Sequence, residues 1–124
     1  MNIELISLSE DNDVKDVKVF DFTDDFYLKL SGSDFSKIGN SLSSQIVIEG
    51  ENINMKLVEL SNFIRETIIR FLERMNVDVS NEIFEKLGSS PSKQEFQEYT
   101  SDLKELNQLI IYLRKVKFTH LKRV

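Results

Sequence analysis

Cysteine and tryptophan are absent from the 124 residues, and histidine and proline occur once each. The missing cysteine excludes disulfides and thiolate–metal sites, a usage that fits an intracellular protein. A lone His120 leaves the repertoire of metal ligands and general bases thin. The four glycines form no phosphate-cradling loop motif. No apolar run approaches the ~18–20 residues that span a bilayer. The opening "MNIELISLSE" carries Glu4, no basic start and no small-residue cleavage site, so it is not expected to be a signal peptide. No membrane association and no cofactor are expected.

What remains is a soluble, globular balance of 40% apolar and 30% charged residues, enough for a single domain with one core. The net charge of −5 is unevenly distributed. Residues 1–62 hold 12 acids and 5 bases, whereas residues 63–124 hold 9 acids and 11 bases. The last eleven residues, "RKVKFTHLKRV", have five bases and no acid. Such a split can orient partners or subunits.

In the N-terminal half, "IELISL", the polar cluster "SEDNDVKD" and the alternating "VKVFDF" predict two strands joined as an antiparallel hairpin. Over residues 23–43, "FYLKL" fits a strand, but a Thr23 or Asp24 cap and a stripe of Phe26, Leu30, Ile38 and Leu42 favour helix. "QIVIEG" predicts a strand ended by Gly50.

From Asn52, steps of three and four residues (Ile53, Leu57, Leu60, Ile64, Ile68, Phe71, Met75) predict a long helix. "NVDV" interrupts it. Asp78 or Ser80 then caps a short helix bearing Ile83, Phe84 and Leu87, closed by Gly88. Ser90 with Pro91, or Ser92 with Glu95, restarts the chain. The last helix carries Phe96, Tyr99, Leu103, Leu106, Ile110 and Leu113 as a seam of about two and a half heptads, which favours a helical hairpin.

Candidate chemistry is sparse. Glu10, Asp11, Asp13 and Asp16 suggest a calcium loop, but counting from Asp11 puts Asp16 where the turn glycine belongs and Phe22 where the closing acid belongs. A solvated turn is the better reading. His120 reads as an exposed tail residue with no partner to orient it. Glu66 and Glu73 share a helix face as a hydrolase pair might require, yet Arg65, Arg70 and Arg74 lie close enough to pair with them. No enzymatic activity is expected. The basic Arg114, Lys115, Lys117, Lys122 and Arg123 suit the end of a helix dipole and form the best electrostatic contact. The overall charge argues against direct nucleic-acid binding.

A strand-bearing opening with "VFDFTDDF", a long "MKLVELSNFIRETIIRFLERM", then "SNEIFEKLG", a Ser-Pro start and a final helix resemble one known layout. It is that of the tail assembly chaperones of long-tailed (siphovirus-type) bacteriophages of Gram-positive hosts. The resemblance covers roughly residues 53–113, with "NVDV" in place of the glycines that family has before "EIF". It implies a non-enzymatic protein of the host-cell cytoplasm that coats the tape-measure protein and helps recruit tail-tube subunits.

The expectation is an α+β fold in one domain, 1–124. A strand-bearing part, 1–50, forms a small hairpin or sheet. A helical part, 51–118, contains a long, a short and a long helix, and a basic tail spans 119–124. The function expected is protein binding through surplus apolar residues Phe63, Ile69, Leu72, Leu109, Tyr112 and Val116 and the basic Arg114, Lys115 and Lys117. The partner is a tape-measure protein or a host or defence protein, and a homo-oligomer is compatible. The alternatives are a small acidic inhibitor that mimics nucleic acid and an oligomeric structural protein.

Overall fold

The computed structural model describes residues 2–88 and 93–123, and among these the fold is α+β. β1 (Asn2–Leu8) and β2 (Val14–Asp21) form the expected antiparallel hairpin, with Ile3 opposite Phe20 and Ile6 opposite Val17. Its register shifts between Ser7 and Leu8, a bulge that leaves Lys15 unpaired. α1 (Asp24–Ser31) follows, N-capped by Thr23, whose hydroxyl accepts the Phe26 N–H at 3.3 Å. Phe26 and Leu30 are its buried positions, so the helical reading holds for this part of 23–43. A short 3-10 turn, Asp34–Lys37, leads to β3 (Ser41–Ile48). Leu42, read as part of the helical stripe, lies in that strand and is exposed.

β4 (Glu51–Glu59) corrects the expected start of the long helix. Ile53, Met55 and Leu57 alternate with Asn54 and Lys56, so period two competes with the three-and-four pattern over the same residues. The competition is settled by the turn before it. Glu49 at φ 51° and Gly50 at φ 81° form a two-residue, left-handed turn, the geometry that joins strands into a hairpin. The pairing then runs from Ile48–Glu51 to Ser41–Val58. α2 begins only at Asn62, capped by Ser61, whose Oγ accepts the Ile64 N–H at 3.3 Å.

α2 (Asn62–Gly88) is one helix, and the expected break at "NVDV" does not occur. The buried positions Ile68, Leu72, Met75, Val79 and Ile83 continue at three- and four-residue steps through the interruption. Burial of that stripe outweighs the modest helix propensity of Val77, Asp78 and Val79. Asp78 and Ser80 are therefore interior helix residues rather than caps. Ile83 is buried but Phe84 is exposed, so the two do not share one buried face. The restart signals at Ser90–Pro91 and Ser92 lie outside the described residues. α3 (Lys93–Leu113) returns antiparallel to α2, since Glu73 meets Arg114 while the later Asn76 meets the earlier Asn107.

The largest departure lies at the end of the chain. Residues expected as a basic tail form β5 (His120–Lys122), the middle strand of a five-stranded sheet ordered β2-β1-β5-β4-β3. It pairs antiparallel with β1 (Leu5 opposite Leu121) and with β4 (Glu59 opposite His120). Without it the two hairpins would share no ladder.

One sheet face carries Ile3, Leu5, Phe20, Val58 and Leu121 against α1, α2 and α3. On the other face Ile6, Ile46 and Leu57 make a second, smaller core with Leu8, Val14, Ile48, Ile53 and Met55. The sheet curls around that core until Asp13 bridges Val47, and the Val47 N–H donates to the Asn12 carbonyl at 2.9 Å. Among the described residues no helix is long and apolar enough to cross a membrane.

Candidate protein-interaction surface

The helical hairpin has an inner face that the sheet consumes and an outer face that it does not. On α2, Phe63, Arg70, Val77 and Phe84 recur every seven residues, which keeps them on one stripe with a drift of only ~20° per repeat. That stripe points away from Ile68, Leu72 and Val79. Phe63 is 77% exposed, Phe84 74% and Val77 59%. On α3, Phe96 and Ile111 are also exposed, and Val116 stands 77% exposed on the loop beyond. The seam between the helices is polar, with Glu73–Arg114 at 2.8 Å and an Asn76–Asn107 hydrogen bond. Apolar side chains thus flank a line of satisfied polar pairs.

The expected binding residues separate into four groups. Ile69, Leu72 and Leu109 belong to the core, at 2% exposure or less. Their apparent surplus is used by the fold, because both helices pack against more than one neighbour. Tyr112 is half-buried, edge-on to Phe20 at 5.8 Å and to Phe118 at 6.0 Å between ring centres. Phe63 and Val116 remain in solvent.

The bases, the fourth group, are surface residues, each with a local engagement. Arg114 pairs with Glu73, and the Lys115 ammonium sits 4.2 Å from the Tyr112 ring centre. Lys117 pairs with Asp16 at 2.8 Å and lies 5.0 Å from the Phe118 ring centre. The hydrogen bond from Lys117 holds the Asp16 carboxyl below its ordinary value. Arg114 and Lys117 are thus each paired with a carboxylate, whereas Lys115 rests on an aromatic ring.

Among the described residues two other basic side chains are buried. Arg123 is 8% exposed and donates to the carbonyls of Phe35 and Ile38, both at 2.6 Å, and of Gly39 at 2.9 Å. Its guanidinium lies 5.6 Å from the Phe35 ring centre. Arg65, in the first turn of α2, is 7% exposed and donates to the Leu113 carbonyl at 2.6 Å, to Lys115 at 3.3 Å and to Phe118. Burial lowers the pKa of both, and both bind carbonyls rather than carboxylates. Sequence reasoning missed Arg65 as a core residue. Its spacing to Ile68, Ile69 and Leu72 places it on the buried stripe, and that was the available signal.

Asp102 was missed in the same way, four and seven residues ahead of Leu106 and Leu109. It is buried and accepts the Thr23 N–H at 2.9 Å and the Thr23 hydroxyl at 2.6 Å. Since Thr23 also caps α1, one carboxylate orients the cap that starts the helix.

His120 is half-buried in β5 rather than exposed on a tail. Its Nδ1 lies 2.8 Å from Thr119 Oγ1. Burial pushes the ring below its ordinary pKa, and Glu59 on the adjacent strand pulls it partly back. A groove of about 470 Å³ beside it is lined by Leu60, Asn62, Arg65, Val116 and Thr119. Of the acids read as a possible calcium loop, Asp13 holds the β1–β2 turn, where its N–H donates to Ser9 Oγ at 3.1 Å. No cluster of three or more metal-ligating side chains occurs among the described residues.

No protein-family model matches this chain, and neither a curated protein nor a solved structure matches it.

Proposed function

We infer that the protein is a non-enzymatic protein-binding module that holds a helical segment of a partner against the outward face of α2 and α3. Within that class we place it as a phage-type tail assembly chaperone, acting in the host-cell cytoplasm on a tape-measure protein. The observation that carries the reading is the stripe of Phe63, Val77 and Phe84, with Phe96 and Ile111 across the seam. An amphipathic helix laid on a helical face anchors through residues at such spacings. Phe63 and Phe84 each keep roughly 100 Å² or more of apolar surface in water, so covering one of these rings contributes about 2–3 kcal/mol. The paired charges along the seam keep this face soluble while it waits for its partner.

The test is calorimetric titration of the purified protein with fragments of the tape-measure protein that this reading predicts to be encoded beside it. A saturable complex that persists at high salt supports the reading, because apolar contacts survive screening. No binding by any fragment overturns it. The inhibitor alternative predicts something different: a salt-sensitive complex with a basic nuclease that is lost when Asp11, Asp13, Asp16, Asp24 and Asp25 are neutralised.

A further inference from the structure

The two edges of the sheet are built differently. β2 is defended, with Lys15, Asp16, Lys18 and Asp21 along it and a bulge at Ser7/Leu8. Charges and bulges on an edge strand block pairing with another chain. β3, at the opposite edge, has none of these features. Residues 39–48, "GNSLSSQIVI", contain no charge and no proline. The ladder of β3 with β4 runs without a register shift, and Leu42 on it is 64% exposed.

The hydrogen-bonding state of this edge follows from ladder alternation. In an antiparallel pair, successive residues point their backbone groups alternately toward and away from the partner strand. The Val47 N–H points away from β4, because it donates to the Asn12 carbonyl. The outward groups before it therefore belong to Gln45, Ser43 and Ser41. Asn12 closes the edge at one end, and the chain turns at Gly39, φ 72°, at the other. An open window of five residues remains, centred on Ser43.

We propose that β3 pairs antiparallel with β3 of a second copy of this chain about a two-fold axis at Ser43, joining two sheets into one. Ser43 then faces Ser43 of the copy, and Ser41 faces Gln45. Each such pair exchanges two backbone hydrogen bonds, so all outward groups in the window are satisfied. Self-pairing is the occupant that the composition favours. Near a two-fold axis a charged residue meets its own charge, which is destabilising, and this stretch has no charge to repel. The same operation on β2 would bring its lysines and aspartates close to their own copies. This edge is separate from the helical face and does not depend on it. The contact is smaller than a standard interface of about 1,600 Å², so the dimer is concentration-dependent.

Sedimentation equilibrium over a concentration series tests the proposal in the full chain. The wild type is expected to show a monomer–dimer equilibrium. Ser43→Pro deletes an outward N–H and leaves the β3–β4 ladder intact, and should weaken the dimer at least about tenfold, equivalent to ~1.4 kcal/mol. Its circular dichroism and unfolding transition should match the wild type. Because the chain has no cysteine, register can be read covalently. Ser43→Cys should form a disulfide dimer under mild oxidation. Gln45→Cys should not, since its two copies lie roughly 13 Å apart. A wild type that stays monomeric, a dimer unaffected by Ser43→Pro, or equal cross-linking of both cysteine variants overturns the proposal.

Discussion

Arg65 at the start of α2 donates a hydrogen bond of 2.6 Å to the carbonyl of Leu113 at the end of α3. A positive charge is unfavourable at the first of these helix ends and favourable at the second, and the antiparallel hairpin places the guanidinium at both. Its other bonds, to Lys115 and Phe118, hold the loop that delivers β5 to the middle of the sheet. One side chain thus couples the helical hairpin to closure of the sheet.

Replacing Arg65 with methionine should preserve the aliphatic packing and leave buried carbonyls without donors. The expected loss is about 3–5 kcal/mol of unfolding free energy, measured by urea denaturation. Arg65→Lys should recover only part of this, because an ammonium cannot reproduce the guanidinium fork. Hydrogen exchange at Leu121 should accelerate in both variants.

Thr23 and Asp102 are expected to act as a unit. Asp102→Ala leaves the Thr23 N–H and hydroxyl without their shared acceptor and should cost about 2–3 kcal/mol. Thr23→Ala removes both the cap and the 2.6 Å bond, at a cost of about 2 kcal/mol. The double variant should lose less than the sum, with a coupling of about 1 kcal/mol or more in a double-mutant cycle.

His120 sets a pH dependence whose sign follows from its burial. The folded state holds the ring below its ordinary 6.5, so the unfolded chain takes up the proton first. Stability from this residue is complete above that value, falls as the pH drops through it and levels off below the folded-state pKa. Urea titrations from about pH 7.5 to about 5 should show this decline, and His120→Gln should flatten it. The Asp16–Lys117 pair acts at lower pH. The Asp16 carboxyl sits below 3.8 in the fold, so its contribution is present above that value and is lost under more acid conditions.

The first hairpin and α1 were legible because their signals are local. Val17 and Val19 alternate with Phe20 on the buried side, and Thr23 stands where a cap belongs. β4 was not legible, because Ile53 and Leu57 satisfy strand and helix spacing alike, and pairing with β3 decides between them. β5 was hidden more deeply. Three residues carry no readable period, and their partners Leu5 and Val58 lie far away in sequence. The break expected at "NVDV" rested on an interrupted apolar pattern and on Asp78 or Ser80 as caps, and burial of Val79 and Ile83 in the core overrules it. Exposure within the candidate interaction surface was legible in part. Phe63 and Val116 lie in solvent as read, whereas Ile69, Leu72 and Leu109 had inward neighbours that helical spacing alone could not reveal.

The central claim is that the outward aromatics of α2 serve a partner rather than the fold. The most direct measurement compares the affinity for a tape-measure fragment with the unfolding free energy of the Phe63→Ser/Phe84→Ser variant. Both side chains are about three-quarters exposed, so stability should change by less than about 0.5 kcal/mol per site. Binding should weaken by about a hundredfold or more, as loss of two anchors of ~2 kcal/mol or so each implies. Unchanged affinity, or a loss of stability as large as the loss of binding, would contradict the account.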